Sequence, residues 1–157
     1  MPNLETIDVA ARLGMAVLVG AVLGINRDLH HKPAGLRTHG LVSLGSATVI
    51  VVALSTVGTD ANALSRVIQG LVTGVGFIGA GVILHHDAEH RVAGLTTAAS
   101  IWVAAALGVA CGSGHWIIAL FALAMTLAVL VFGGPVEQAL ERRFRPKAGS
   151  EPPDPNP

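Results

Sequence analysis

Residues 92–136 read VAGLTTAASIWVAAALGVACGSGHWIIALFALAMTLAVLVFGGPV, 45 positions in a row without Asp, Glu, Lys or Arg. One helix of that length would run about 68 Å at 1.5 Å per residue. The hydrocarbon core of a bilayer is only about 30 Å thick and needs about 20 mainly apolar residues to cross. The stretch therefore reads as two spans with a break between them. CGSGH, Cys111–His115, supplies the break with two glycines, a serine and a histidine, and Trp116 follows it. Trp favours the membrane interface, so a tight hairpin is expected there.

Working outward, Gly40–Thr59 and Val67–Leu84 also lack all four charged residue types. A further span precedes them. Leu13–Ile25 is too short alone, and extending it to Val9 takes in Arg12, which can snorkel from a helix end. A cleaved signal peptide normally opens with a basic region. Met1–Ala11 instead holds Glu5 and Asp8 and no Lys or Arg, which favours a retained span. The expected fold is all-α: a polytopic membrane protein with five transmembrane helices at about 9–25, 40–59, 67–84, 92–111 and 116–134. Residues 1–136 form the transmembrane domain, 137–145 a short basic cytoplasmic segment, and 146–157 a disordered proline-rich tail. Composition agrees: 52% of residues are hydrophobic and 13% charged, against about 25% charged in an ordinary soluble domain.

Lys/Arg placement sets orientation. With five spans, one face receives the Asn26–His39 loop, the His85–Arg91 loop and the C-terminus, with eight of the ten basic residues. The N-terminus is then outside and the C-terminus cytoplasmic. Six of the seven histidines fall on the cytoplasmic face: His30, His31, His39, His85, His86 and His90. Zero net charge gives no footprint for a nucleic-acid partner. The single cysteine, Cys111, rules out a disulfide within the chain and reads as a buried, inert thiol.

The chain says nearly the same thing twice. HKPAGLRTHG, His31–Gly40, and HRVAGLTTAA, His90–Ala99, stand 59 residues apart, and at that offset Gly20-Ala21 falls on Gly79-Ala80. The pattern suggests a parallel internal repeat, helices 1–2 against helices 3–4, about an axis along the membrane normal. In each copy Ala-Gly-Leu-x-Thr leads a loop onto a new helix. Glycine permits the turn, and Thr38 or Thr97 is placed to serve as, or lie near, an N-cap. Helix N-termini carry unpaired N–H groups and partial positive charge, which suits phosphate, carboxylate or lipid head groups.

GVGFIG, Gly74–Gly79, matches the dinucleotide-binding G-x-G-x-x-G. It lies mid-span, follows no strand, and has no acidic residue about 20 positions later, so the match is rejected. Small residues instead recur every four positions: Ala16, Gly20 and Gly24; Gly70 and Gly74; Gly76 and Ala80; Ala104, Gly108 and Gly112. This is the spacing of close-packed membrane helices. Gly20, Gly24, Gly74, Gly76, Gly79, Gly81, Gly108 and Gly112 are the expected packing positions, within the subunit or across a homodimer seam. The cytoplasmic histidines with Asp28, Asp87 and Glu89 lack the spacing of a metal site, so two solvated loops are expected, with no metal and no cofactor. No ionisable residue falls in the middle of a span, where pumps and ion-coupled transporters usually carry one. Nothing resembles a nucleophile–base constellation, and an enzyme is not expected.

AGLRTHGLVSLG (Ala34–Gly45), SRVIQGLVTGVGFIGAGVI (Ser65–Ile83) and VAGLTTAASIWVAAALGVACGSG (Val92–Gly114) resemble the MgtC/SapB family of bacterial inner-membrane proteins. The resemblance covers roughly Val9 to Phe132. It implies a multi-span membrane domain tied to magnesium limitation and, in some pathogens, to virulence. It also implies action through membrane partners, such as ATP synthase or a cation transporter, within the lipid bilayer. Many members carry Glu-Arg after the first span where this chain has Asn26-Arg27, and longer members add a soluble C-terminal domain. The candidate functional residues are Asn26, Arg27, Asp28, Arg37, Thr38, Arg66, Thr96 and Thr97. The expected function is accessory or regulatory, in divalent-cation or stress homeostasis. The alternative is an oligomeric channel or transporter for magnesium or another small ion.

Overall fold

A computed structural model describes residues 5–84 and 93–144. The described residues form five helices and no strand: α1 (Thr6–Leu29), α2 (Leu36–Val57), α3 (Ala61–Leu84), α4 (Leu95–Gly112) and α5 (Trp116–Phe144). All five are long and apolar enough to cross a membrane. Ser113–His115 turns between α4 and α5, with Gly114 at φ 79°, so the CGSGH break falls where the polar and glycine residues interrupt the apolar run.

The chain divides into two compact units, Met1–Leu127 and Ala128–Pro157. In the first, α4 is the most enclosed span, with half of its apolar window buried. It packs against α1, α2 and α3. Glycine makes that closeness possible. A Cβ at Gly108 would fall well inside the radius of the Ser43 carbonyl oxygen, and one at Gly112 would lie 2.7 Å from the Ala47 carbonyl oxygen. Between α1 and α2, a Cβ at Gly20 would stand 2.6 Å from the His39 carbonyl oxygen, and one at Gly24 would stand 2.5 Å from Leu36 Cα. Lipid is as apolar as these side chains, so close backbone approach and dispersion, not hydrophobic exclusion, hold such helices together. The interior of α2 and α4 is filled by Ala47, Ile50, Ala104, Leu107 and the fully buried Cys111.

The other glycines expected at packing positions divide differently. Gly79 is buried, with Ala98 Cβ at 3.5 Å from a built Cβ, an ordinary contact. A Cβ built at Gly74, Gly76 or Gly81 has no neighbour within 4 Å among the described residues. They lie on α3, whose span is only 11% buried. GVGFIG is continuous helix within α3, with no strand to precede it.

Most helix boundaries differ from the expected spans by a few residues, and two of the differences bear on charged residues. The helix α1 continues to Leu29, so Arg27 belongs to its last turn and not to a loop. The second unit carries α5 on to Phe144 through Pro135, so 137–144 extends that helix. A charged side chain marks where apolarity ends, not where helical hydrogen bonding ends. The far end of α1 is tied to α4 by Arg12, which pairs with Asp8 at 2.8 Å and donates to the Gly112 carbonyl at 2.8 Å.

Candidate functional site

At the end of the bundle where α1 finishes and α2 and α4 begin, polar side chains are buried among apolar helices. They are Arg27 of α1, His39, Ser43 and Ser46 of α2, and Thr97 and Ser100 of α4, each less than 5% exposed. Arg27 Nη2 donates to Thr97 Oγ1 at 2.5 Å and reaches the Pro33 carbonyl at 3.4 Å. His39 Nδ1 lies 3.0 Å from the Gly35 carbonyl, and Nε2 lies 3.1 Å from Ser100 Oγ. A carbonyl only accepts, so Nδ1 carries hydrogen. Ser100 also lies within donating distance of the Thr97 carbonyl, at 2.8 Å. Its one hydroxyl proton serves either that carbonyl or His39 Nε2. Arg27, Thr97, Ser100 and His39 thus form one connected run across α1, α4 and α2. Arg27 Nε and Ser43 Oγ are buried and have no partner among the described residues.

The two copies of the motif open α2 and α4 at this same end. Their N-caps are Gly35 and Gly94, which match at the 59-residue offset, and glycine has no side chain with which to cap either helix. Thr38 and Thr97 therefore sit at the third helical position, near the cap and not at it. In α2 the cap comes from elsewhere: Asp28 Oδ2 accepts from the Leu36 N–H at 2.9 Å. This requires Gly35, because a Cβ there would collide with the Asp28 carboxylate.

Of the candidate residues, the structure brings Arg27, Asp28 and Thr97 into this site. Arg37 and Thr96 are exposed on the first turns of α2 and α4, and Thr38 is half-buried between them and the core. Asn26 lends its carbonyl to His30 Nδ1 at 2.7 Å. Arg66 stands exposed on α3, away from the cluster's end of that helix. The His85–Arg91 loop, with Asp87 and Glu89, lies outside the described residues. His39, expected on a solvated cytoplasmic face, is instead fully buried, because Ser100 receives its ring across the α2–α4 contact. Sequence reasoning did not select His39, Ser43 or Ser100. Their signal was there in part: His39, Ser43 and Ser46 follow i, i+4, i+7 spacing and Thr97 and Ser100 follow i, i+3, which puts each set on one helix face.

The sequence pattern of the MgtC family matches residues 13–139, which takes in all of this site. The chain belongs to the MgtC family. Among its relatives, protein SrpB of Synechococcus elongatus is 44% identical over 140 residues, covering 83% of this chain and 77% of SrpB. YhiD of Escherichia coli, a magnesium-transporter candidate by name, is 42% identical and covers 80% of this chain and 60% of YhiD. Protein MgtC of Brucella abortus is 40% identical and covers 84% of this chain and 54% of that protein. The chain thus spans roughly half to three-quarters of the length of these relatives. No solved structure matches it. Membership and five apolar helices together make this MgtC-family chain a multi-pass membrane protein.

Proposed function

We propose that this MgtC-family chain is an accessory or regulatory protein of magnesium or other divalent-cation homeostasis, or of stress homeostasis, in the bacterial inner membrane. It works without enzymatic chemistry, through contacts with membrane partners such as ATP synthase or a cation transporter. The observation that carries this reading is the closed interior of the bundle. The buried polar side chains stop at Ser100 in α4 and at Ser46, about three turns into α2. Beyond them Ala47, Ile50, Ala104 and Leu107 fill the space between those helices, and no acidic or basic side chain is buried there among the described residues. An ion crossing such an interior would lose its hydration with nothing in exchange. Support for magnesium comes from family membership and from the name given to YhiD.

A second reading, an oligomeric channel or transporter, has one observation in its favour. Gly74 and Gly76 follow small-residue spacing on α3, yet a Cβ built at either has no neighbour within 4 Å among the described residues. Such a surface suits a seam between copies, a dimer first, and a path between copies would bypass the closed interior.

Purified protein reconstituted into liposomes loaded with a magnesium-sensitive dye separates the two. No protein-dependent magnesium entry is expected beyond that of protein-free liposomes. Entry that scales with protein and saturates with magnesium would sink the accessory reading in favour of the channel.

The proposed orientation puts the polar site on the cytoplasmic side and the N-terminus outside. In spheroplasts carrying Ser113→Cys in a Cys111→Ala background, a membrane-impermeant maleimide is expected to label the intact membrane. Labelling that requires opened membranes reverses the orientation.

A further inference from the structure

We propose that the first turn of α4, together with Arg27, is a binding site for a phosphoryl anion, drawn from an anionic phospholipid headgroup or from free phosphate. This goes beyond the magnesium reading and does not depend on it.

Two independent observations meet at this point. The first is the 18-residue helix α4, which starts at Leu95 after Gly94 with no side-chain cap among the described residues. The first N–H groups of a helix have no intrahelical partner, and the end carries roughly half a positive charge. The second is Arg27. It is 4% exposed and its Nη2 holds the Thr97 hydroxyl of that same turn, while its Nε is buried with no partner among the described residues. Both groups the guanidinium does touch, the Thr97 hydroxyl and the Pro33 carbonyl, are neutral. A buried cation without a counter-charge is unfavourable, and the positive end of a helix beside it raises the cost.

Helix α2 shows what is missing. The same Ala-Gly-Leu motif opens both helices, and at α2 the Leu36 N–H meets the Asp28 carboxylate at 2.9 Å. Asp28 does not pair with Arg27, although it is the next residue. A cap on a helix end therefore leaves the buried guanidinium unneutralised. One group that serves a helix N-terminus and a guanidinium together needs several charged oxygens pointing in different directions. Phosphoryl groups have that geometry, and both helix N-termini and arginine forks bind them. Leu95 and Thr96 are exposed, so the turn is open from outside. It lies where the apolar span of α4 begins, and an apolar span seated in a bilayer has headgroups at its ends.

The rival sources of negative charge are this chain's own Asp87 and Glu89, which precede α4 in sequence. The test follows thermal unfolding of the purified full chain in neutral detergent through Trp102 and Trp116 fluorescence. One arm titrates sodium phosphate against sodium chloride at matched ionic strength. The other adds phosphatidylglycerol or phosphatidylcholine to the micelles. A saturable rise in unfolding temperature is expected for wild type: with phosphate if the free anion is the ligand, and with phosphatidylglycerol alone if the headgroup is. Arg27→Gln should lose the rise or shift its midpoint concentration by about tenfold or more, equivalent to about 1.4 kcal/mol. Arg142→Gln, on the exposed C-terminal part of α5, should keep it. Thr97→Asp places a carboxylate beside Arg27. It should unfold at a higher temperature than wild type and respond to neither probe, which decides the matter even if Arg27→Gln does not fold. The proposal is overturned if wild type responds in neither arm, if Thr97→Asp responds as wild type does, or if a response emerges only after Asp87→Asn and Glu89→Gln are introduced.

Discussion

Gly108→Ala, a single added methyl group, is expected to remove most of the folded protein. The new Cβ would overlap the Ser43 carbonyl oxygen and approach Ser46 Cβ to 2.8 Å. A flexible side chain can move aside; a backbone carbonyl inside α2 cannot, because its helix moves with it. Over-packing a tight interior costs typically 1–3 kcal/mol, occasionally more. Here the cost should reach about 3 kcal/mol or exceed it, because α2 and α4 must separate along a contact that Gly112 also needs. Domain stabilities of about 5–15 kcal/mol leave little margin for that. The control is Gly76→Ala. Nothing lies within 4 Å of its built Cβ, and alanine in a helix interior is favoured over glycine by about 0.5–1 kcal/mol. Fluorescence-detected size-exclusion yield and thermal half-loss should fall sharply for the first variant and hold or rise for the second. A wild-type profile for Gly108→Ala would show that the α2–α4 contact is looser than the structure has it. A loss of oligomer for Gly76→Ala, with the monomer intact, would place a seam between copies on α3.

These two glycines show how far sequence carries and where it stops. Both sit in small-xxx-small patterns, Gly108 between Ala104 and Gly112 and Gly76 before Ala80. The pattern says that close approach is possible; it does not say that a neighbour is present. Position in the bundle decides that: α4 is surrounded by α1, α2 and α3, and most of α3 is left uncovered. The number of helices was legible because uncharged length is a local property with a physical threshold. Helix ends were less so. Arg27 was read as lying in a loop, yet it falls in the last turn of α1, and the charged run after Pro135, read as a segment of its own, continues α5. The motif pair opens α2 and α4 at one end of the bundle, and Arg27, Asp28 and Thr97 lie there. His39 was missed for a different reason. A histidine one turn inside a helix is polar by composition; the Gly35 carbonyl satisfies Nδ1 locally, but the partner of Nε2, Ser100, is 61 residues away. No local window contains that contact.

The second large effect is expected at His39, where size and polarity can be separated. The imidazole is fully buried between α2 and α4. His39→Ala removes the ring and leaves a void, and large-to-alanine changes in cores cost about 2–5 kcal/mol. His39→Leu refills most of the space. It also leaves no buried group stranded: the Gly35 carbonyl keeps the His39 backbone N–H at 3.1 Å, and Ser100 keeps the Thr97 carbonyl at 2.8 Å. The loss is then the interhelical hydrogen bond, about 0.6 kcal/mol on average in membrane proteins, together with whatever shape mismatch the branched side chain brings. The expected order of thermal stability is wild type, then His39→Leu slightly below, then His39→Ala far below. Ser100→Ala should fall between the two variants, since it strands His39 Nε2 in the interior at a cost of about 1–3 kcal/mol. This order separates two roles for the ring. If His39→Leu folds near wild-type stability but fails to complement growth in low magnesium, the ring serves function and its polarity is what matters. If His39→Leu complements fully, the cluster around Arg27 works without it, and His39 is a spacer between α2 and α4. Equal stability for His39→Ala and wild type would contradict the burial on which both alternatives rest.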